Sequence, residues 1–193
     1  MRLGRIRLPP RALFGRLWRR AMNEHAVMTL LGIASVATAI SGFSGVVAVF
    51  SERADGKWQP EVRFRTTNML LLSLGACLLS FVPLAVELFR VTEPIIWMTS
   101  SCSLVAFGSC YVVYTIIKLR KPALRRPGAL IAWVRVVYFV CLGLAIALQA
   151  LNVAGAWVER GPGPFIAGLM LVLIPAGLQF TFLVLTPLSS ADS

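Results

Sequence analysis

The chain has 193 residues, of which 58% are hydrophobic and 14% charged, and its mean hydropathy is +0.78. Soluble domains carry about 45–50% apolar residues, so composition excludes a water-soluble fold and requires a bilayer as solvent. The net charge is +11, but the basic residues form short blocks between apolar runs, which suits anionic lipid headgroups rather than a nucleic-acid groove.

Residues 1–21 form a basic arm with seven arginines and no acid. Beyond Pro10, Leu13, Phe14, Leu17, Trp18 and Met22 share one helical face, with Arg11, Arg16, Arg19 and Arg20 largely elsewhere. That pattern predicts an interfacial amphipathic helix. An acid-free, arginine-rich start also has the look of a transit peptide, but it contains no serine. Met22 opens MNEHAV just before the first apolar run and is an alternative start that would leave the arm untranslated.

The transmembrane domain is expected over residues 22–188, followed by a short polar tail, 189–193. Apolar runs at 27–50, 69–89, 95–117, 130–153 and 165–186 each approach or exceed the roughly 20 residues a helix needs to cross the hydrocarbon. Backbone polar groups in lipid must be satisfied within the chain, so these runs predict an all-α, multi-pass bundle of five transmembrane helices. Trp97, Trp133 and Trp157 mark run edges, where indoles favour the headgroup layer. Pro83 and Pro175 fall inside runs and predict kinks. In the first loop, Pro60 followed by Glu61 reads as a helix start, so the second helix is expected to begin there. Residues 90–94 permit only a tight hairpin. Residues 118–129 are basic without an acid, and 158–164 are rich in glycine and proline.

Five spans put the termini on opposite sides. Loops one and three hold nine basic residues (Arg53, Lys57, Arg63, Arg65, Lys118, Arg120, Lys121, Arg125 and Arg126) against two, Arg90 and Arg160, in the others. The positive-inside rule makes the nine-residue side cytoplasmic and the N-terminus external. The arm opposes this, bringing the count to nine against nine. Three resolutions stand: an untranslated arm, a first run folded as a re-entrant hairpin broken around Gly42–Gly45, or an inverted orientation.

Chemistry-bearing motifs are sparse. His25 is the one histidine, so neither a metal site nor a Ser-His-Asp triad has its ligands or partners. No phosphate- or dinucleotide-binding fingerprint is present. No catalytic, cofactor-binding or metal-binding residue is therefore assigned, no cofactor is expected, and an enzyme is the less favoured reading. The four cysteines, Cys77, Cys102, Cys110 and Cys141, all lie in apolar runs and read as small packing residues. Glu87, Gln149 and Asn152 fall at the same end of their helices and are expected to form a polar pocket, with interhelical hydrogen bonding as the simpler role for the amides. Ala34, Thr38, Ser41, Gly42 and Gly45 recur at helical spacing and predict a close helix-packing face within the monomer or between monomers. Arg63, Arg65, Lys118, Arg120, Lys121, Arg125 and Arg126 are expected to contact anionic lipid.

ISGFSG (40–45), Trp58 with Arg63-Phe64-Arg65, LQALN (148–152) and AGLQF (176–180) resemble patterns in a group of small uncharacterised bacterial inner-membrane proteins. The resemblance covers most of residues 22–186 and implies a bacterial inner-membrane location and a start near Met22. It brings no activity with it. The scarcity of lysine (Lys57, Lys118 and Lys121 among 19 basic residues) also fits a GC-rich bacterial genome. The expected function is a non-enzymatic membrane component, a scaffold, assembly partner or sensor. A small oligomeric transporter or channel is the first alternative and a lipid-acting membrane enzyme the second. Expected partners are anionic lipids and a second copy or another membrane protein.

Overall fold

A computed structural model describes the backbone of residues 10–55, 60–120, 129–155 and 160–185, and side chains within 24–46, 63–120, 133–155 and 160–182. These residues form five helices, α1 (Pro10–Asp55), α2 (Pro60–Glu87), α3 (Glu93–Leu119), α4 (Ala129–Ala154) and α5 (Pro162–Leu185). Each contains a stretch long and apolar enough to span a membrane. The protein is thus an all-α, multi-pass bundle, as composition requires.

α1 runs unbroken for 46 residues, about 69 Å at 1.5 Å per residue, against a hydrocarbon core of about 30 Å. Two expectations change accordingly. The first run is not a hairpin broken at Gly42–Gly45, because the helix passes straight through both glycines. Nor is the described part of the arm a separate helix, since no turn divides Pro10 from the span.

α2 begins at Pro60, where proline's missing N–H costs nothing in a first turn. It ends at Glu87, two residues before the apolar run does. Leu88, Phe89 and Arg90 form the turn, with Phe89 N–H donating to Val86 O (3.1 Å) and Arg90 N–H to Glu87 O (2.9 Å). α3 starts at once, with Thr92 in extended backbone as N-cap, Glu93 in the first turn and a proline among its first residues. Pro83 and Pro175 lie inside continuous helices.

The helices form a closed ring in chain order, with α2 and α5 also packed directly on each other across the middle. Leu72 and Ala76 of α2, Leu104 of α3, Leu142 of α4 and Leu169 and Val172 of α5 fill that middle and are fully buried. Among the described residues α1 packs on α2 and α5 but not on α3 or α4. One end of the bundle, the hairpin end, holds the α2–α3 turn, the start of α1's span and the start of α5. The other, the basic end, holds the close of α3 and the start of α2.

The expected packing face of α1 overlaps the buried one in part. Ala26, Leu30, Ile33, Ala34 and Ala37 are its buried apolar residues, and Ser44 is fully buried. Of the five predicted contact residues Ala34 is buried, Thr38 is exposed yet hydrogen-bonds Cys77 of α2 (3.4 Å), Ser41 and Gly45 are half-buried, and Gly42 is exposed. A Cβ at Gly42 or Gly45 would meet nothing within 4 Å. Small residues let backbones approach but do not oblige them to, and the deepest positions of α1 here are Ala37 and Ser44.

Candidate functional site

Two polar assemblies occupy the hairpin end. The first is buried and joins three helices. Gln149 and Asn152 project from α4 and are 0% and 1% exposed. Ser101 of α3 donates to Gln149 Oε1 (2.8 Å) and accepts from Asn152 Nδ2 (2.8 Å). Gln149 Nε2 donates in turn to the Pro164 carbonyl in the first turn of α5 (2.6 Å). Gly168, one turn further along α5, makes that reach possible, because a side chain there would collide with Gln149 Nε2 and stand 3.1 Å from its Cδ. Asn152 Oδ1 is the one buried atom of this network left without a partner.

The second assembly is a cavity of about 370 Å³, half open, in the gap that α1 and α3 leave between them. Ala26, Val27 and Leu30 of α1, Pro83, Leu84 and Glu87 of α2, Arg90 and Val91 of the turn, and Glu93, Ile96 and Trp97 of α3 line it. Glu87 and Arg90 are exposed and Glu93 is half-buried. Arg90 has φ 55°, the one non-glycine residue among the described residues with a left-handed backbone. Trp97 is only 6% exposed, leans on Phe165 of α5 at 6.2 Å between ring centroids, and its Nε1–H has no acceptor among the described residues.

The expected pocket of Glu87, Gln149 and Asn152 is therefore two sites. Gln149 and Asn152 face α3 and α5, whereas Glu87 ends α2 on the side turned towards α1. Ser101 and Trp97 went unrecognised at the sequence level. Ser101 is one serine in a Ser100–Ser103 stretch that also holds Cys102, and the run-edge position of Trp97 points to the headgroup layer. It is instead buried against α5, while Trp133, 69% exposed, keeps the outward position expected of it.

A third cluster at the basic end was also missed. Tyr111 donates to the Asn68 carbonyl (3.5 Å), Thr115 and Tyr138 share a hydrogen bond (3.0 Å), and the Tyr111 and Tyr138 rings lie 5.9 Å apart. These residues tie α2, α3 and α4 beneath the basic loops. Of the expected lipid-contacting residues, Arg63 is exposed at the start of α2, Arg65 is half-buried, Lys118 sits over the Tyr114 ring at 5.3 Å, and Arg120 caps α3. Lys121, Arg125 and Arg126 lie outside the described residues.

Among the described residues no three His, Cys, Asp or Glu side chains gather as metal ligands. His25 is exposed at the hairpin end. Cys141 is buried, but Cys102 and Cys110 face outward, so the packing role expected of all four cysteines does not extend to those two.

Fold and sites together define a multi-pass α-helical membrane protein with a filled interior, one polar lock and one open polar cavity. No family model, curated protein or solved structure matches the chain.

Proposed function

We propose that this protein is a non-enzymatic component of a membrane assembly, a scaffold or assembly partner that works through its helix surfaces. One observation carries the reading. α1 turns Gly32, Ser35, Ala39 and Gly42 outward at alternating three- and four-residue spacing, with open space beside Gly32 and Gly42. A lipid-facing row of small residues is the surface on which a second transmembrane helix packs most closely. The filled centre, with α2 against α5, speaks against a conduit through a single copy. The channel reading would need the cavity at Glu87 to continue past Leu30 and Trp97, and its lining stops there.

The assembly resides in a bacterial inner membrane, with the basic end cytoplasmic and the start of α1 external, following the balance of loop charge. Its basic residues hold anionic headgroups. The test is purification of the tagged full chain in mild detergent, with mass measured by light scattering and co-purifying proteins identified. The wild type should run as a dimer or a defined hetero-complex, and Gly42→Leu should release a folded monomer. A wild type that is monomeric and alone at every concentration would end the proposal.

A further inference from the structure

We propose that the cavity at the hairpin end binds the headgroup of a zwitterionic, primary-amine phospholipid of the phosphatidylethanolamine kind. Three charged side chains, Glu87, Arg90 and Glu93, stand at one mouth, and among the described residues none of them forms an ion pair. Two carboxylates and one guanidinium leave a site charge of −1, which favours a cation but also offers an anion one partner. A phosphoethanolamine head has that composition. Its ammonium carries three donors that two carboxylates can accept, and its phosphate matches the planar fork of Arg90. A quaternary ammonium has no N–H to give, and an anionic head without an amine brings negative charge to two carboxylates.

The remaining walls fit the rest of such a molecule. Ala26, Val27, Leu30, Leu84 and Ile96 make one side apolar, suited to the first methylenes of an acyl chain. About 370 Å³ is at the small end of ligand pockets, enough for a head and its ester region with the tails left in the bilayer. The site also lies where α2 ends and α3 begins, between the ends of two stretches long and apolar enough to cross a membrane.

The turn itself is built at a cost. Arg90 takes the left-handed backbone that glycine adopts freely. A residue held in such a conformation at a cavity mouth points to a role for its side chain. Here the conformation brings residues 87, 90 and 93 to one rim.

The experiment is native mass spectrometry of the full-length, delipidated protein in mild detergent, titrated separately with dioleoyl phosphatidylethanolamine, phosphatidylcholine and phosphatidylglycerol. The wild type should retain one phosphatidylethanolamine per chain, with phosphatidylcholine bound about tenfold more weakly, as expected when a charge-assisted hydrogen bond is lost, and with phosphatidylglycerol bound independently of Glu87 and Glu93. Glu87→Gln combined with Glu93→Gln should abolish that preference. Arg90→Gly should weaken binding by about tenfold and at the same time raise the unfolding temperature of the lipid-free protein, because glycine relieves the backbone. That pairing separates loss of the site from loss of the fold. Cys110→Ser, outward on α3 and away from the cavity lining, should leave the titration unchanged. Equal retention of phosphatidylethanolamine and phosphatidylcholine, undiminished phosphatidylethanolamine binding by the charge variants, or binding of free ethanolamine as tightly as the lipid would each overturn the proposal. The oligomer measurement above is independent of all these outcomes.

Discussion

Among the described glycines, Gly75 has the least room for a side chain. A Cβ there would stand 2.6 and 2.8 Å from the two Cε atoms of Phe107 on α3, with the ring's Cζ nearer still. The ring has little freedom to retreat. It stacks on Tyr111 at 6.0 Å and 11°, and Tyr111, 5% exposed, is itself braced by Tyr138. Gly75→Ala must therefore either turn Phe107 out of its stack or push α3 away from α2. Overpacking of this kind costs about 1–3 kcal/mol.

The control is Gly143→Ala on α4, where the new methyl meets nothing within 4 Å. Both substitutions gain the same intrinsic preference of alanine for a helix, up to about 1 kcal/mol. Their difference thus isolates the overpacking cost. It should be read by reversible unfolding in mixed micelles of dodecylmaltoside and increasing dodecyl sulfate, followed by far-ultraviolet circular dichroism. Phe107→Leu should partly rescue Gly75→Ala, with a coupling of about 1 kcal/mol or more in a double-mutant cycle. If the two alanine variants agree within about 0.5 kcal/mol, the additivity limit, then α2 and α3 do not meet at Gly75 and Phe107 as described.

Three further outcomes are expected. Gln149→Leu removes two interhelical hydrogen bonds and should cost about 1 kcal/mol in the same assay, given roughly 0.6 kcal/mol per bond in membranes; Asn152→Leu should then add less than it costs alone, since both act through Ser101, and strict additivity would dissolve the network. In a cysteine-free background, a cysteine at Lys57 should be shielded from an impermeant thiol reagent on intact cells and one at Gly163 labelled; the reverse pattern would invert the proposed orientation. Arg125→Gln with Arg126→Gln should lower the anionic lipid that co-purifies with the chain, and an unchanged lipid content would remove anionic lipid from the partners proposed for that loop.

The five spans were legible because uncharged runs of membrane length leave the backbone few alternatives to helix. The start of α2 was legible too, since Pro60 and Glu61 both suit a first turn. Its end was not. Leu88 and Phe89 extend the apolar run, yet they are 82% and 79% exposed in the turn. Apolarity reports that a residue tolerates lipid, not that its φ and ψ are helical. The same ambiguity hid the faces. In water, burial selects apolar residues, but lipid is as apolar as a protein interior. Nothing in the composition of α1 therefore distinguished Ala37, fully buried, from Gly42, which faces outward.

Polar residues inside the runs are more informative, though they name only half of each interaction. Gln149 and Asn152 were recognisable as costly in lipid. Their partner Ser101 lies 48 residues from Gln149 in the chain and was set by the ring order of the helices, not by any local pattern. Glu87 was grouped with them because it falls at the same membrane depth, and depth alone does not place a side chain around the ring. Once the ring closes, the hairpin end divides by how far its polar groups are satisfied. Gln149 spends both its amide groups on protein, and Gly168 holds the space open for it, so that network acts as a lock between α3, α4 and α5. Across Trp97, Glu87, Arg90 and Glu93 spend no charge on one another and line a cavity at the ends of the α2 and α3 spans. A paired network resists exchange with a ligand, because each bond given up must be replaced. An unpaired rim over an apolar wall gains from an occupant, which is why the candidate site lies at Glu87 and not at the more conspicuous amides.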